Sequence, residues 1–267
     1  INKLDRMGAS FDRSYKSIHE SLSPNAVAVQ FPMGLEGAFE GVVDLLRMKA
    51  CYFEGEHGEN IVEKEIPESF KAQADEMHHT LVEKIIETND ALTERYLEGK
   101  EVSLDELKKA LRAATIAYKL IPVFCGSALK NKGVQLVLDG VVDYLPSPLD
   151  LPPITGIDMK GETVTRETSD EAPLSALAFK LQTDPFVGQL TYFRVYSGTL
   201  EAGSYIYNAT KDQKERVGRI LRMHANHREE VKVMHAGEIG AIVGLKGTTT
   251  GDTLCDPENP IILEQIT

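Results

Sequence analysis

Two short groups of polar and small residues have the types and spacing needed to recognise a small ligand. They are Asn2, Lys3 and Asp5 in the first group and Ser127, Ala128 and Leu129 in the second. Each group follows apolar residues and precedes a stretch with helical periodicity, which is typical of loops at the carboxyl ends of parallel strands. We therefore expect both groups to line one pocket.

The carboxylate of Asp5 can accept two neighbouring N–H groups as a charge-assisted pair. The run Asn2-Lys3-Leu4-Asp5 resembles the guanine-reading loop of GTPases, and Ser127-Ala128-Leu129 resembles the companion loop. In this resemblance Asp5 accepts hydrogen bonds from N1–H and N2–H2 of guanine. Adenine would leave the carboxylate badly paired, and unpaired polar groups discriminate strongly between ligands.

The remaining residues of the two groups have supporting roles in the same resemblance. Asn2 braces the base and the neighbouring loops with its amide. Lys3 lays its alkyl stem across the purine plane while its ammonium group stays in water. Ser127 and Ala128 are small enough to let a backbone N–H approach guanine O6, and Leu129 ends the loop.

A phosphate-binding loop of the form G-x-x-x-x-G-K-[S/T] does not occur in the sequence. We therefore expect no catalytic residue and no metal ligand in this chain, and we expect the chain alone to be inactive and not to bind nucleotide tightly. The glycine-rich stretch 244–251 has the wrong spacing and is predicted to be a turn between strands. Because the chain starts at Ile1, we expect it to be a piece of a longer protein.

The net charge of −12 is spread unevenly along the 267 residues. Residues 1–172 contain 30 acidic and 19 basic side chains, whereas residues 173–267 contain 11 and 10. The acidic part is therefore not expected to lie broadly on nucleic acid, while the nearly neutral part can do so locally.

Three cysteines, far apart and without a C-x-x-C pair, indicate buried thiols in a reducing compartment. No apolar run is long enough for a membrane span, and no signal peptide is visible. We expect a cytoplasmic protein without a membrane partner.

The order of helical and strand patterns predicts an α/β domain followed by an all-β barrel. Residues 1–24 and 119–150 are expected to form the C-terminal part of a GTPase domain, and residues 25–118 an α+β insertion, because they lie between the two loops. Strand-like runs, a hairpin tip at 54–59 and two helices make up this insertion. Residues 151–172 are expected to be a linker and 173–267 the barrel.

Two further surfaces are predicted from periodicity. Val134, Leu138, Val141 and Leu145 recur at helical spacing and are predicted to form one stripe of a helix. Arg216, Arg219 and Arg222 belong to the most basic stretch of the sequence, and we expect them to contact RNA phosphates.

Longer strings of the sequence resemble bacterial-type elongation factor G. They are Phe39-x-Gly41-Val42-Val43-Asp44-Leu45-x-x-Met48-Lys49-Ala50, Asp184-Pro185-Phe186-Val187-Gly188-Gln189-Leu190 and Arg194-Val195-Tyr196-Ser197-Gly198-Thr199-Leu200. The resemblance implies a factor that binds GTP or GDP with Mg²⁺ and moves tRNA and mRNA through the ribosome. It also implies that the insertion contacts the ribosomal stalk protein and that the barrel contacts small-subunit rRNA.

Two alternatives remain open from the sequence. A release-factor or ribosome-protection GTPase shares both loops and the barrel, although the string that ends at Ala50 favours elongation factor G. A non-catalytic ribosome- or RNA-binding module is the alternative of a different class.

Overall fold

The computed structural model describes residues 1–185, 187–225 and 227–263. Phe186, within the Asp184–Leu190 string quoted above, lies outside the described residues. The chain divides into two compact units, Ile1–Pro146 and Ser147–Thr267. Each unit is described by itself.

The first unit contains helices and strands in mixed order. In chain order they are α1 (Phe11–Ser21), β1 (Ala26–Ala28), β2 (Gln30–Met33), a 3-10 turn (Glu36–Ala38), β3 (Gly41–Asp44), β4 (Lys49–Glu54), β5 (Asn60–Lys64), α2 (Glu68–Ile86), α3 (Asp90–Leu97), α4 (Leu104–Ile116), β6 (Ile121–Val123) and α5 (Val134–Tyr144).

Local sequence explains where several of these helices begin. Ser10 caps α1 by accepting a hydrogen bond from Arg13 N. Ser103 and Glu106 form the reciprocal capping box at the start of α4 that their spacing predicts. Asn89 caps α3 in the same way as Ser10 caps α1. This third helix is absent from the sequence prediction because eight residues, little more than two turns, are too few to show a repeating apolar pattern.

Two sheets organise the first unit. β1 runs parallel to β6, with Ala26 opposite Ile121. Strands β2, β3, β4 and β5 form an antiparallel sheet in that order, and the tip at 54–59 joins β4 to β5 as predicted. Phe31, Val43 and Ala50 are fully buried in one core cluster with residues of α2 and α4.

The structure differs from the sequence analysis at two places in this unit. β1 falls inside the predicted insertion, yet it pairs with the strand that leads into Ser127. Most of the predicted stripe of α5 is exposed, Leu138 by 61%, and the residues that α5 buries are Leu136, Gly140 and Tyr144. Apolar residues lie on more than one face of this helix, so periodicity alone did not identify the buried face.

The second unit consists of strands and one 3-10 turn. In chain order they are the turn (Pro148–Asp150), β7 (Ile154–Ile157), β8 (Thr163–Arg166), β9 (Ser175–Asp184), β10 (Gly188–Ser197), β11 (Leu200–Glu201), β12 (Tyr205–Asn208), β13 (Gln213–Arg216), β14 (Arg219–His224), β15 (His227–Val231), β16 (Val233–Met234), β17 (Ile239–Val243), β18 (Thr253–Cys255) and β19 (Ile262–Leu263).

Eight of these strands form an antiparallel sheet in the order β13, β12, β18, β9, β10, β17, β14, β15. Phe193, Ile206, Ile220 and Ile242 are fully buried in its main core cluster. The predicted order of a mixed helix and strand domain followed by an all-β domain is confirmed. Closure of the sheet into a barrel stays a prediction. The predicted linker contains the hairpin of β7 and β8, which also pairs with β19.

The glycine-rich stretch at 244–251 forms a turn, as the sequence predicts. Its backbone N–H groups at Lys246 and Gly247 donate to Glu215 Oε2 over 2.9 and 3.0 Å. The Thr248 hydroxyl donates to the other oxygen of Glu215 over 2.6 Å. A carboxylate of the protein itself therefore occupies the donors that a phosphate would need.

The three thiols are buried as predicted. Burial raises the pKa of Cys51 to about 11 and that of Cys125 to about 12. Burial also raises the pKa of Cys255. Among the described residues, no helix combines the length and the apolar character that crossing a bilayer requires.

The side chain of Tyr15 forms hydrogen bonds to the backbone at both ends of β1. The Tyr15 hydroxyl donates to Ala26 O over 3.1 Å and accepts from Ala28 N over 3.0 Å. We predict that Tyr15→Phe lowers the free energy of unfolding by about 1–2 kcal/mol, since it leaves two partly buried backbone groups without a partner. Urea unfolding measures the change.

The matched control is Tyr118→Phe, because Tyr118 is highly exposed and has no hydrogen bond from its hydroxyl within the described residues. An equal loss of stability in the two variants would contradict the role of Tyr15 at the strand edge.

Candidate functional site

The two predicted loops lie side by side because their backbones pair. The Ile1 ammonium group donates to Phe124 O over 2.7 Å. Gly126 N then donates to Ile1 O over 3.0 Å, and Leu4 N to Gly126 O over 3.2 Å. Residues 1–4 thus run alongside the continuation of β6, and the residues that follow both strands meet at one end.

The second loop is a tight turn that begins and ends with paired residues. Ser127 N donates to Lys132 O over 2.8 Å, and Lys132 N donates to Ser127 O over 3.0 Å. Gly126 is required beside this pair, because a Cβ there would lie 2.3 Å from Lys132 O. Gly133 has a φ of +92°, a conformation that favours glycine.

Asp5 and Ser127 are joined directly by their side chains. The Ser127 hydroxyl donates to Asp5 Oδ1 over 2.6 Å. Asp5 Oδ2 accepts no hydrogen bond within the described part of the chain, and its nearest cation is Arg6 Nε at 4.0 Å. The side chain of Asp5 is 13% exposed. The carboxylate is therefore fixed on one side and open on the other.

The surroundings of Asp5 favour its ionised form. The hydrogen bond from Ser127 lowers the pKa of Asp5, and its own backbone N–H, Arg6 and Lys130 lower the pKa further, while partial burial opposes them. A lowered pKa keeps the carboxylate an acceptor for two N–H groups at neutral pH.

Asn2 connects the two loops with its amide oxygen. Asn2 Oδ1 accepts from Lys3 N over 2.7 Å and from Ala128 N over 3.0 Å. The Ala128 N–H, expected to approach guanine O6, is therefore already held by Asn2. A base would have to share this donor or displace the Asn2 amide from it.

The other two predicted residues are open to solvent. Lys3 is exposed and has a φ of +67°, which is uncommon for a residue with a side chain. Leu129 is 73% exposed. The structure therefore brings Asn2, Asp5, Ser127 and Ala128 into contact, whereas Lys3 and Leu129 lie at the margin.

Sequence reasoning missed residues that hold the first loop. Glu36 N donates to Leu4 O over 2.7 Å, and Gly8 N donates to Glu36 Oε1 over 2.6 Å. Arg13 Nη2 donates to Gly8 O over 2.8 Å. No sequence signal links Glu36 to Gly8, because the contact spans 28 residues and depends on how the chain returns to the loop.

The largest cavity described in the first unit is elsewhere. It has a volume of about 670 Å³ and lies between α1, β1 and α2, lined by residues that include Tyr15, Met77 and Leu81. None of the six predicted site residues lines it. The candidate site is therefore defined by hydrogen-bonding groups at the end of two strands and not by an enclosed cavity.

The three arginines predicted to contact RNA differ in the number of carboxylates that lie close to them. Arg216 has no ion pair within the described residues and is exposed. Arg219 lies 3.8 Å from Glu230. Arg222 donates to Glu238 over 2.7 Å and lies 3.8 Å from Glu229. Neighbouring carboxylates thus weaken the positive field of this surface.

Comparison with known proteins agrees with this geometry. Residues 1–147 match the family described as the elongation factor Tu GTP binding domain. Residues 173–257 match the family described as elongation factor G domain 2. A crystal structure of a protein from Thermus thermophilus is similar with a TM-score of 0.77 and 25% sequence identity; the match covers 100% of this chain and 37% of that one.

The two family matches place the chain among the GTP-binding translation factors. The chain belongs to the translational GTPases of the elongation factor G type. It spans 37% of the length of the similar Thermus protein.

The hydrogen bond between Ser127 and Asp5 generates a pH-dependent prediction. Ser127→Ala removes the largest cause of the lowered pKa of Asp5, so we expect this pKa to rise toward its ordinary value. Because a lowered pKa stabilises the folded chain above the unfolded pKa, the variant should lose less stability than the unaltered chain as pH falls through the acid range.

Carboxyl ¹³C chemical shifts of Asp5 measure the pKa directly. Ser14→Ala is the control, since the Ser14 hydroxyl donates to Ser10 O and does not contact Asp5. An unchanged Asp5 titration in Ser127→Ala would mean that another group sets the pKa.

Proposed function

We propose that Asp5, Asn2, Ser127 and Ala128 read the guanine base of GTP and GDP in a factor that moves tRNA and mRNA on the ribosome. The observation that carries this proposal is the Asp5 carboxylate, fixed at Oδ1 by Ser127 and open at Oδ2. An ionised carboxylate in this state can accept both N–H groups of guanine.

The remaining site residues fit the same ligand. Asn2 holds the Ala128 N–H, which becomes a donor for O6 when the base shares it or displaces the Asn2 amide. Lys3 is free to lie along the purine plane, as its side chain makes no hydrogen bond or ion pair within the described residues. Leu129 offers an exposed apolar side chain at the margin of the site.

The described residues fit the base half of the nucleotide but not its metal. They contain no group of three or more His, Cys, Asp or Glu side chains that could hold a metal ion. Mg²⁺ supplies charge neutralisation at the phosphates when GTP is bound. We propose that phosphate binding, Mg²⁺ and hydrolysis require parts of the complete protein beyond the residues present here, and that this chain alone neither hydrolyses GTP nor binds it tightly.

The match of residues 173–257 to elongation factor G domain 2 supports translocation as the role of the complete protein. A release-factor or ribosome-protection GTPase is the nearest alternative, because such factors share the base-reading loops. A non-catalytic ribosome-binding module describes this chain when it is taken alone.

The proposed partners follow from the family. We propose that the second unit contacts small-subunit rRNA through Arg216, Arg219 and Arg222, and that the inserted segment of the first unit contacts the ribosomal stalk protein. The buried, unpaired thiols support a cytoplasmic location.

Asp5→Asn tests the base assignment in the complete protein. The substitution replaces an acceptor with an N–H donor facing the N–H groups of guanine. We expect GDP binding to weaken by about 1–3 kcal/mol, the cost of an unpaired buried group. Xanthosine diphosphate should gain affinity, since xanthine has a carbonyl oxygen where guanine has its amino group. Nucleotide titration calorimetry measures both.

Asp12→Asn is the matched control, because it makes the same change on the exposed first turn of α1. If Asp5→Asn leaves the preference for GDP over xanthosine diphosphate unchanged, Asp5 does not read the base.

The RNA proposal predicts a ranking among the arginines. Arg216→Ala should flatten the dependence of log affinity for the small ribosomal subunit on log salt concentration by about 0.7–0.9, the effect of losing one phosphate contact. Arg222→Ala should flatten it less, because Glu238 and Glu229 already neutralise its guanidinium. Filter binding across a KCl series measures both slopes, and the reverse ranking would contradict the assignment.

A further inference from the structure

We infer that Glu36, in the segment inserted between the two loops, is a positioning residue for guanine recognition by Asp5. This inference rests on the proposed function and adds to it a residue that never touches the base.

Two hydrogen bonds of Glu36 bracket Asp5 in the sequence, while its carbonyl oxygen accepts a further one from Phe39 N over 3.2 Å. The Glu36 backbone N–H holds the carbonyl of Leu4, immediately before Asp5, over 2.7 Å. The Glu36 carboxylate accepts from Gly8 N, three residues after Asp5, over 2.6 Å. The turn that carries Asp5 is therefore held on both sides by one residue.

Other contacts also restrict the conformation of this turn. Arg13 Nη2 donates to Gly8 O, so the N–H of Gly8 and its carbonyl oxygen each have a partner. Leu4 is almost completely buried, which fixes the residue beside Asp5. Ser127 holds only Oδ1 of Asp5, so the direction of Oδ2 depends on the backbone of this turn.

The backbone of Glu36 is held in an unfavourable conformation. Its φ is +56°, in the left-handed region that a residue with a side chain rarely adopts. The preceding bend is tight, since a Cβ on Gly34 would lie 2.0 Å from Ala38 O. A strained residue persists only where surrounding contacts require it. Here the backbone N–H and the carboxylate of Glu36 both contact the loop of Asp5, and only its carbonyl oxygen bonds locally, to Phe39 N.

The inserted segment also contacts the second loop. Lys132 Nζ donates to Phe39 O over 2.8 Å. At the hairpin tip, His57 O and Gly58 O accept from Asn131 Nδ2 and Gln135 Nε2 over 3.0 and 2.8 Å. Both loops are therefore held by the same inserted segment, and Glu36 is the part of it that lies nearest to Asp5 in the hydrogen-bond network.

The test compares affinities for GDP and inosine diphosphate in the complete protein. Inosine lacks the amino group that Asp5 pairs with in guanine, so the ratio of the two affinities reports base reading and cancels phosphate binding. We expect Glu36→Ala to lower this ratio about fivefold, the effect of a loosened charge-assisted hydrogen bond. Glu36→Gln keeps an acceptor oxygen and should restore most of the ratio.

Glu36→Gly separates positioning from stability. Glycine adopts a φ of +56° without penalty, so this variant should keep its thermal unfolding midpoint while its GDP to inosine diphosphate ratio falls as in Glu36→Ala. Glu40→Ala is the matched control: it removes the same charge four residues away, from a side chain with no hydrogen bond or ion pair within the described residues. Amide hydrogen exchange at Gly8 reports the hydrogen bond from Gly8 N to the Glu36 carboxylate independently of nucleotide. It should accelerate only in Glu36→Ala and Glu36→Gly.

The outcomes are distinguishable. Faster exchange at Gly8 together with a lower ratio supports the proposal. Faster exchange at Gly8 with an unchanged ratio overturns the proposal, because Glu36 then only stabilises the fold. Unchanged exchange at Gly8 in Glu36→Ala also overturns it. If the unaltered protein does not prefer GDP to inosine diphosphate, the base-reading function itself fails and the inference fails with it.

Discussion

The hydrogen bond from Ser127 to Asp5 joins residues 122 positions apart, and the candidate site depends on it. The bond forms because residues 1–4 pair with the continuation of β6 in one register, in which Gly126 N meets Ile1 O. A slip of one residue in this pairing would move the backbone that carries Asp5 away from Ser127. Gly126 and Gly133 protect this register, because a Cβ at either position would collide with backbone of the same turn. Backbone pairing therefore determines which side chains meet at the site.

The segment between the two loops, predicted as an insertion at residues 25–118, takes part in this arrangement through its own hydrogen bonds. Its first strand pairs with β6, its 3-10 turn holds the loop of Asp5, and its hairpin tip holds the turn after Leu129. Hydrogen bonds to the loops come from Glu36, Phe39, His57 and Gly58, which are distributed over more than twenty residues of the segment. A movement of the whole segment would therefore displace both loops.

Sequence reasoning identified the elements with strong local signals. The capping box of Ser103 and Glu106, the hairpin tip at 54–59 and the pair of loops are all determined by residues close together in sequence. The failures share one cause, which is contact between distant residues. The buried face of α5 depends on which neighbours cover Leu136 and Tyr144, and β7 pairs with β19 more than a hundred residues later. Glu36 was missed for the same reason: its φ of +56° and its contact with Gly8 exist only in the folded chain.

The burial of Cys51, Cys125 and Cys255 has a practical consequence. These are all the cysteines of the sequence, and the raised pKa of each keeps its thiolate fraction small at neutral pH. A cysteine introduced at an exposed position, such as Leu129 in the second predicted loop or Glu40 in the inserted segment, would react with a maleimide far faster than the native thiols. Fluorescent or spin labels can therefore be attached to the loop and to the segment that holds it, one at a time, without first removing the protein's own cysteines.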